Sequence, residues 1–279
     1  MSYAVKILAD SINVATGKRL TTMEIAFPRF ILAEFNTHRM LSRSSASSRA
    51  IPVAKMLERA LSNPFIPEYW GKNQKGMRAA EELQGAEREG AIALWLAARN
   101  KAVDAVRAMQ ELDVHKQLAN RMLEPWLWHT VIVSATEWDN FFALRTHKDA
   151  QPEFRRIAVM MREMYEAHEP DFVHAGDWHL PLCEDAWDLA VDGRTPDEIA
   201  RIACGRCARV SYLTHDGKRD LQADLDLADR LQRAGHMAPY EHVARAVSED
   251  RPFGNFTGGW LQYRKTLPNE AVFISTEQQ

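Results

Sequence analysis

The sequence predicts an α+β fold, mostly helical, arranged in two blocks, and three observations carry that prediction. Residues 21–35 and 127–135 are dense in Ile, Phe, Val and Leu, as buried strands are. Residues 53–122, 138–144 and 153–167 place Ala, Leu, Ile and Met at helix-face spacing with charges opposite. A stretch over 168–194 holds Pro170, Pro181 and Gly193 and reads as a linker, dividing a block over 1–180 from a smaller one over 195–279.

In chain order, residues 21–35 give one or two buried strands, followed by a polar run over 36–49. The longest helical signal spans 77–112, where glycines are scattered and one face is charged. A short strand over 127–135 follows, and then the two helices over 138–144 and 153–167. The second block opens on Thr195-Pro196-Asp197-Glu198, with Thr at the N-cap, Pro at the first helical position and acids in the first turn. An extended piece is expected at 210–213, an amphipathic helix over 220–234 closed by Gly235, and a strand over 241–247.

Composition bounds the function. At 279 residues, 46% hydrophobic and 26% charged, the chain is long enough for a sizeable core and belongs to the globular class. The formal charge of −3 gives no global field for nucleic acid or an anionic membrane, so neither partner is expected. No apolar run approaches the roughly 18 residues of a membrane span, and the first residues lack a secretory signal's regions. Three cysteines, an odd number, argue against a disulfide framework and for a reducing, cytoplasmic setting. P-loop, G-x-G-x-x-G and G-x-S-x-G patterns are missing, which leaves NTPase, Rossmann and α/β-hydrolase readings without support.

The most informative stretch is residues 36–49, with five serines, three arginines and one histidine, and no acid from there to Leu57. Hydroxyls and guanidinium groups are what a phosphate needs, several donors in fixed directions plus positive charge. The run follows directly on a buried strand and holds neither Gly nor Pro, so it is poorly built as a flexible linker.

This run resembles the signature of flavin-dependent thymidylate synthases, R-H-R-x-x-S-x-N-E-x-S-x-R, with His38, Arg39, Ser42, Ser47 and Arg49 at the matching spacings. Asn140-Phe141 with Arg145, then Ala150-Gln151 with Glu153, is similar to that family's N-F-x-x-x-R…A-Q-x-E-I. Ala208-Arg209-Val210-Ser211-Tyr212 and Gly235-His236…Pro239-Tyr240-Glu241-His242 resemble its A-R-V-S-[YF] and G-H-x-[ST]-P-F-E-H. In the family these last two segments come first, so the resemblance implies a circular permutation, tolerated where termini lie close together. There are departures. Thr37 replaces the first Arg, Ser44-Ser45 replaces Asn-Glu, Glu34 stands for Gln and Asp149 for a flavin-side His. Gln262-Tyr263-Arg264 with Asn269-Glu270 repeats the R-H-R…N-E spacing and is a second candidate source of the acid missing at Ser45.

The resemblance implies a helix-rich α+β fold with a central mixed or antiparallel sheet and a homotetramer with interfacial sites. It also implies FAD, NADPH as reductant and methylene-tetrahydrofolate as carbon donor, with no metal. The substrate would be a deoxypyrimidine monophosphate, dUMP by default. Arg145 matches the catalytic residue at the base's carbonyl edge. Glu34, Ser47, Ser48, Arg49 and Arg121 would complete the nucleotide site, and Thr37, His38, Arg39, Asn140, His236 and Glu241 would hold the flavin. Two alternatives stand beside this. One is the same chemistry on dCMP, prompted by Glu34 and Ser45. The other is a non-catalytic flavin- or nucleotide-binding protein.

Other constellations read more plainly. Cys204-Gly205-Arg206-Cys207 would need Cys183 and His179 to complete a zinc site, and packing is the simpler reading. His174, Asp177 and His179 are metal-like but lack fixed helical spacing, and they read as a polar loop near the site mouth. Trp126, Trp128 and Trp138 read as core and interface, since no basic stripe interleaves them.

Overall fold

The computed structural model describes residues 2–76, 79–212 and 220–272. Its centre is a mixed five-stranded sheet in the order β3-β4-β2-β1-β5. The strands are β1 (Ala4–Asn13), β2 (Arg19–Pro28), β3 (Ser42–Ser45), β4 (Trp128–Ala135) and β5 (Asp171–Val173). Neighbours are antiparallel except β1 and β5, which run parallel. The architecture is thus the helix-rich α+β fold that the sequence predicts.

Alternation along β2 and β4 decides what lies on each face. Met23, Ile25 and Phe27 with Val131 and Val133 form the main core. Helices α5 (Asp139–Arg145) and α6 (Pro152–Ala167) cover them with Phe141, Phe142, Phe154, Ile157 and Met161. The buried Asp10 ties α6 down: Arg19 donates to it from Nε at 2.8 Å and reaches the Tyr165 carbonyl, also at 2.8 Å. Helix α1 (Leu32–Phe35) follows β2 after one 3-10 turn. Beyond β3, α2 (Val53–Ser62), α3 (Gly85–Glu111) and α4 (Lys116–Ala119) build a separate cluster around Met56, Val103, Val106 and Leu123.

The opposite face of the sheet carries a polar row. Ser42 pairs in register with Ser134, and Ser134 with Thr22. Over it lies the C-terminal part of the chain: α7 (Ala186–Val191), α8 (Pro196–Tyr212), α9 (Leu221–Arg233), and a three-stranded sheet of β6 (Trp178–His179), β7 (Ala244–Ala246) and β8 (Trp260–Gln262). A mixed cluster of Leu8, Ile132, Leu182, Cys207 and Val210 joins the two parts.

Several expectations are corrected. Residues 21–35 are one strand that ends at Pro28, then helical turns. The helix expected from Met77, which lies outside the described residues, begins only at Gly85, because residues 81–83 pair back onto 70–72, with Lys72 N donating to the Glu81 carbonyl at 2.8 Å and Leu83 N to that of Trp70 at 2.7 Å. Residues 210–212 extend α8 rather than forming a strand, with Val210 packed beside Cys207, and Leu213 lies outside the described residues. The stretch 168–194 is no linker, since it contributes β5, β6 and α7 and buries His179 completely. Strand β1 has no counterpart in the elements read from sequence.

The local signals of the second block are realised. Thr195 and Glu198 form a capping box, Glu198 N donating to Thr195 Oγ1 at 3.3 Å and Thr195 N to Glu198 Oε2 at 2.9 Å. Asp220 caps α9 through Ala223 N, and Gly235 follows it at φ 73°. Helices α8 and α9 cross closely at Gly205, where a Cβ would stand 2.2 Å from the Asp224 carbonyl oxygen. Gly205→Ala must push the helices apart and is expected to cost about 1–3 kcal/mol, read as a lowered urea midpoint. An unchanged midpoint would mean that the crossing yields freely.

Candidate active site

Arg145 ends α5 and turns back toward the loop after α1. Its Nε donates to His38 Nε2 at 2.6 Å and its Nη2 to Thr37 Oγ1 at 3.3 Å, while the guanidinium lies 4.5 Å from the Phe154 ring centroid. A guanidinium has donors only, so His38 Nε2 accepts and the neutral ring carries its proton on Nδ1. Burial, then the charges of Arg145 and Arg43, hold His38 down to about 4. Phe141 meets the ring edge-on at 4.9 Å and fixes its plane. Glu34 acts on Arg145 through its charge, opposing the downward pull of burial.

Arg43 braces the same loop, Nη1 donating to the His38 carbonyl at 2.9 Å and to that of Phe35 at 3.2 Å. Across from it stands Glu241, whose charge bears on Arg43 and which is ion-paired with Arg264. Gln262 Nε2 donates to Ser42 Oγ at 2.9 Å and to the Glu241 carbonyl at 3.1 Å. The C-terminal segment therefore packs against the serine-arginine run. The acid it brings to Arg43 is Glu241, while Glu270 is held by Lys265 at 2.8 Å and Arg264 at 3.3 Å.

The expected phosphate ligands are distributed differently. Ser47, Arg49 and Arg121 are exposed. Ser48 is 2% exposed, and its hydroxyl donates to Glu124 Oε1 at 2.7 Å. In this arrangement the Ser48 hydroxyl proton is engaged by Glu124, a partly exposed carboxylate. Arg39, Asn140 and His236 are also exposed, as are Glu34 and Thr37. Of the residues singled out in sequence, the structure brings Thr37, His38 and Arg145 into one contact group, and joins Ser42 to Gln262 and Glu241 to Arg264 in another.

Sequence reasoning missed a buried hydrogen-bonded chain behind this region. Ser11 Oγ meets His179 Nδ1 at 2.8 Å, and His179 Nε2 meets Thr22 Oγ1 at 2.8 Å. Thr22 Oγ1 meets Ser134 Oγ at 2.7 Å, and Ser134 Oγ meets His242 Nδ1 at 2.8 Å. His242 Nε2 is buried and unpartnered among the described residues. His179, with both ring nitrogens engaged, is a core histidine rather than part of a polar loop at the site mouth. The only local hint was the coupling of His242 to the P-Y-E-H segment. The thiols of Cys204 and Cys207 are fully buried and pushed up by that burial, in accord with packing. Among the described residues, no group of three or more His, Cys, Asp and Glu is arranged to hold a metal, and no helix is long and apolar enough to cross a membrane.

Fold and cluster together define a mixed-sheet α+β protein in which an arginine is oriented by a neutral histidine beside an arginine- and serine-rich loop. A family model described as "Thymidylate synthase complementing protein" matches residues 20–171, just over half of the chain. The chain belongs to the thymidylate synthase complementing protein family. A flavin-dependent thymidylate synthase from Aquifex aeolicus (strain VF5) is 27% identical over 163 residues, covering 56% of this chain. The match takes in 49% of that relative, so the chain spans about half the length of the curated relative it matches. The crystal structure of a UMP/dUMP methylase PolB from Streptomyces cacaoi bound with 5-Br UMP shares the fold. Its TM-score is 0.50 at 13% identity, over 59% of this chain and 89% of that one.

Burial holds His129, His179 and His242 down to about 3, with the Arg29 charge adding to the effect on His129 and that of His179 on His242. The unfolded chain takes up these protons near 6.5, well before the folded one does. Stability is therefore full above pH 6.5 and falls as pH drops toward 3, by up to about 1.4 kcal/mol per pH unit for each group. Urea midpoints measured from neutral to acid pH should decline through this window. A flat profile down to pH 4.5 would contradict neutral burial of the three rings.

Proposed function

We propose that this chain transfers a one-carbon unit to carbon 5 of a deoxypyrimidine monophosphate, dUMP to dTMP, in a flavin- and folate-dependent reaction. The observation that carries the proposal is Arg145, seated on His38 within the family's N-F-x-x-x-R segment. By accepting from Nε, neutral His38 fixes the guanidinium plane without cancelling its charge, so Nη1 remains for a carbonyl oxygen of the base. Negative charge developing there as carbon 5 becomes nucleophilic is stabilised by a donor already in place. Exposed Ser47, Arg49 and Arg121 supply hydroxyl and guanidinium donors for the phosphate.

The donor set also suits a flavin dinucleotide. Arg39, Asn140 and His236 are exposed, and the unpartnered His242 Nε2 adjoins Glu241. These residues, with Thr37, His38 and Glu241, would hold FAD. When bound, the flavin supplies the redox and carbon-transfer chemistry, with NADPH as reductant and methylene-tetrahydrofolate as carbon donor. Exposure of so many candidate ligands fits sites completed by a second copy in a homotetramer. Contact of 241–264 with Ser42 and Arg43 supports the circular permutation, with 195–279 as the family's first part and 1–180 as the remainder.

One observation favours dCMP as a second reading. Glu34 lies close enough for its charge to act on Arg145, and a carboxylate there can accept from a cytosine amino group.

Incubation with FAD, NADPH, methylene-tetrahydrofolate and equal dUMP and dCMP, followed by mass spectrometry, is expected to give a mass gain on dUMP. Gain on dCMP alone would move the assignment to the second reading, and gain on neither would favour a binding protein without turnover. Arg145→Ala should lower turnover by about 10²–10³-fold. Unchanged turnover and nucleotide binding in that variant would refute the role given to Arg145.

A further inference from the structure

The turn over residues 47–50, which carries Ser47 and Arg49, is clamped from one side. Ala50 N closes the turn onto the Ser47 carbonyl at 3.0 Å, and Arg49 N donates to Ser47 Oγ at 3.3 Å. The clamp is a single 3-10 segment, Asn120–Trp126, which also carries Arg121. Buried Asn120 donates from Nδ2 to the Ser48 carbonyl at 2.7 Å and to that of Ile51 at 2.9 Å. Farther along the same segment, Glu124 accepts from the Ser48 hydroxyl at 2.7 Å. Arg121 therefore stands between the two side chains that grip the turn bearing Ser47 and Arg49.

Three contacts converge on one atom of Glu124. Its Oε1 accepts from Ser48 Oγ, lies 3.0 Å from Arg29 Nη2 and lies 3.6 Å from Arg121 Nη1. Each contact has its own consequence. The Ser48 bond holds the turn. Arg29, whose Nη1 donates to His129 Nδ1 on β4 at 2.9 Å, roots the carboxylate in the central sheet. The Arg121 contact exceeds hydrogen-bond length, so it retains that exposed guanidinium by charge without taking up its donors. An exposed turn and a long arginine lose conformational freedom when they close on an anion. Contacts already made in the free protein remove part of that loss.

By charge alone an acid is unfavourable here, since a carboxylate repels a phosphate. We propose that Glu124 is a positioning residue for the phosphate of the nucleotide, acting by reach rather than by charge. It sets Arg121 against Ser47 and Arg49 without touching the substrate. That role exists only if Ser47, Arg49 and Arg121 hold the phosphate, as proposed above.

The test is the calorimetric Kd of the full chain, with FAD present, for dUMP and dCMP, which carry the same phosphate. Two variants separate reach from charge. Glu124→Asp keeps the charge and withdraws the oxygen by one methylene, and it should weaken binding of both nucleotides by about tenfold. Glu124→Gln keeps an acceptor oxygen in place and removes the charge, and it should stay within about threefold of wild type. Wild-type binding in Glu124→Asp, or a loss in Glu124→Gln as large as that in Glu124→Asp, overturns the proposal. The loss must also run through the phosphate donors. In an Arg49→Gln background the Asp change should therefore cost no more than about threefold, because a donor that Glu124 places is gone. The full loss there would mean that Glu124 acts on the fold at large, and would overturn its positioning role. If Glu124→Gln does not fold for want of a counter-charge on Arg29, Glu124→Asp and this cycle decide. A wild type that binds neither nucleotide, or Arg49→Gln and Arg121→Gln that both bind as wild type does, removes the phosphate assignment and the role of Glu124 with it. Weakening by those two changes with no response to Glu124→Asp removes the role of Glu124 alone.

Discussion

The polar row on the central sheet is the constraint on which the rest of the molecule depends. Ser42, Ser134 and Thr22 sit side by side on three strands, each nearly inaccessible. Hydroxyls so placed must find partners or destabilise the fold. Their partners come from the C-terminal part of the chain: Gln262 for Ser42, His242 for Ser134, His179 for Thr22. Asn13 extends the same logic by donating to the Gly259 and Val247 carbonyls at 3.0 Å each. The two parts are thus bound by directional bonds as well as apolar area. A small sliding of one over the other would break several of these at once, which sets the position of Glu241 against Arg43.

One device recurs in the electrostatics. Arg145 rests on His38 and Arg29 on His129, each guanidinium donating to an imidazole that burial keeps neutral. A carboxylate would orient an arginine equally well but would cancel its charge. At Arg145 the neutral histidine orients the guanidinium and leaves its charge available, whereas the charge of Arg29 is met by Glu124 at 3.0 Å. The Arg206 environment shows the contrasting use. Asp185 grips that buried guanidinium with both oxygens, at 2.5 and 2.8 Å, and Asp224 adds a third contact at 3.3 Å. Its charge is spent on structure.

What could be read from sequence was what is encoded locally. The β-branched run of β4, the Thr195 capping box and the Asp220 cap with Gly235 carry their signals within a few residues, and all appear. Elements defined by distant partners did not announce themselves. His179 looked like a polar-loop residue because Ser11 and Thr22, which bury it, lie 168 and 157 residues away. Ser48 reads as a phosphate ligand in sequence, and its bond to Glu124, 76 residues away, is legible only in the fold. The His38–Arg145 contact spans 107 residues, and the family resemblance, rather than any periodicity, pointed to both members.

The burial of all three cysteines has a practical corollary. Cys183, Cys204 and Cys207 lie in the C-terminal part, and burial pushes the thiols of Cys204 and Cys207, both on α8 under α9, up and away from the reactive thiolate while the fold is closed. Alkylation of Cys204 or Cys207 therefore registers excursions that part these helices. The wild-type chain thus carries its own stopwatch for opening of the layer over the sheet.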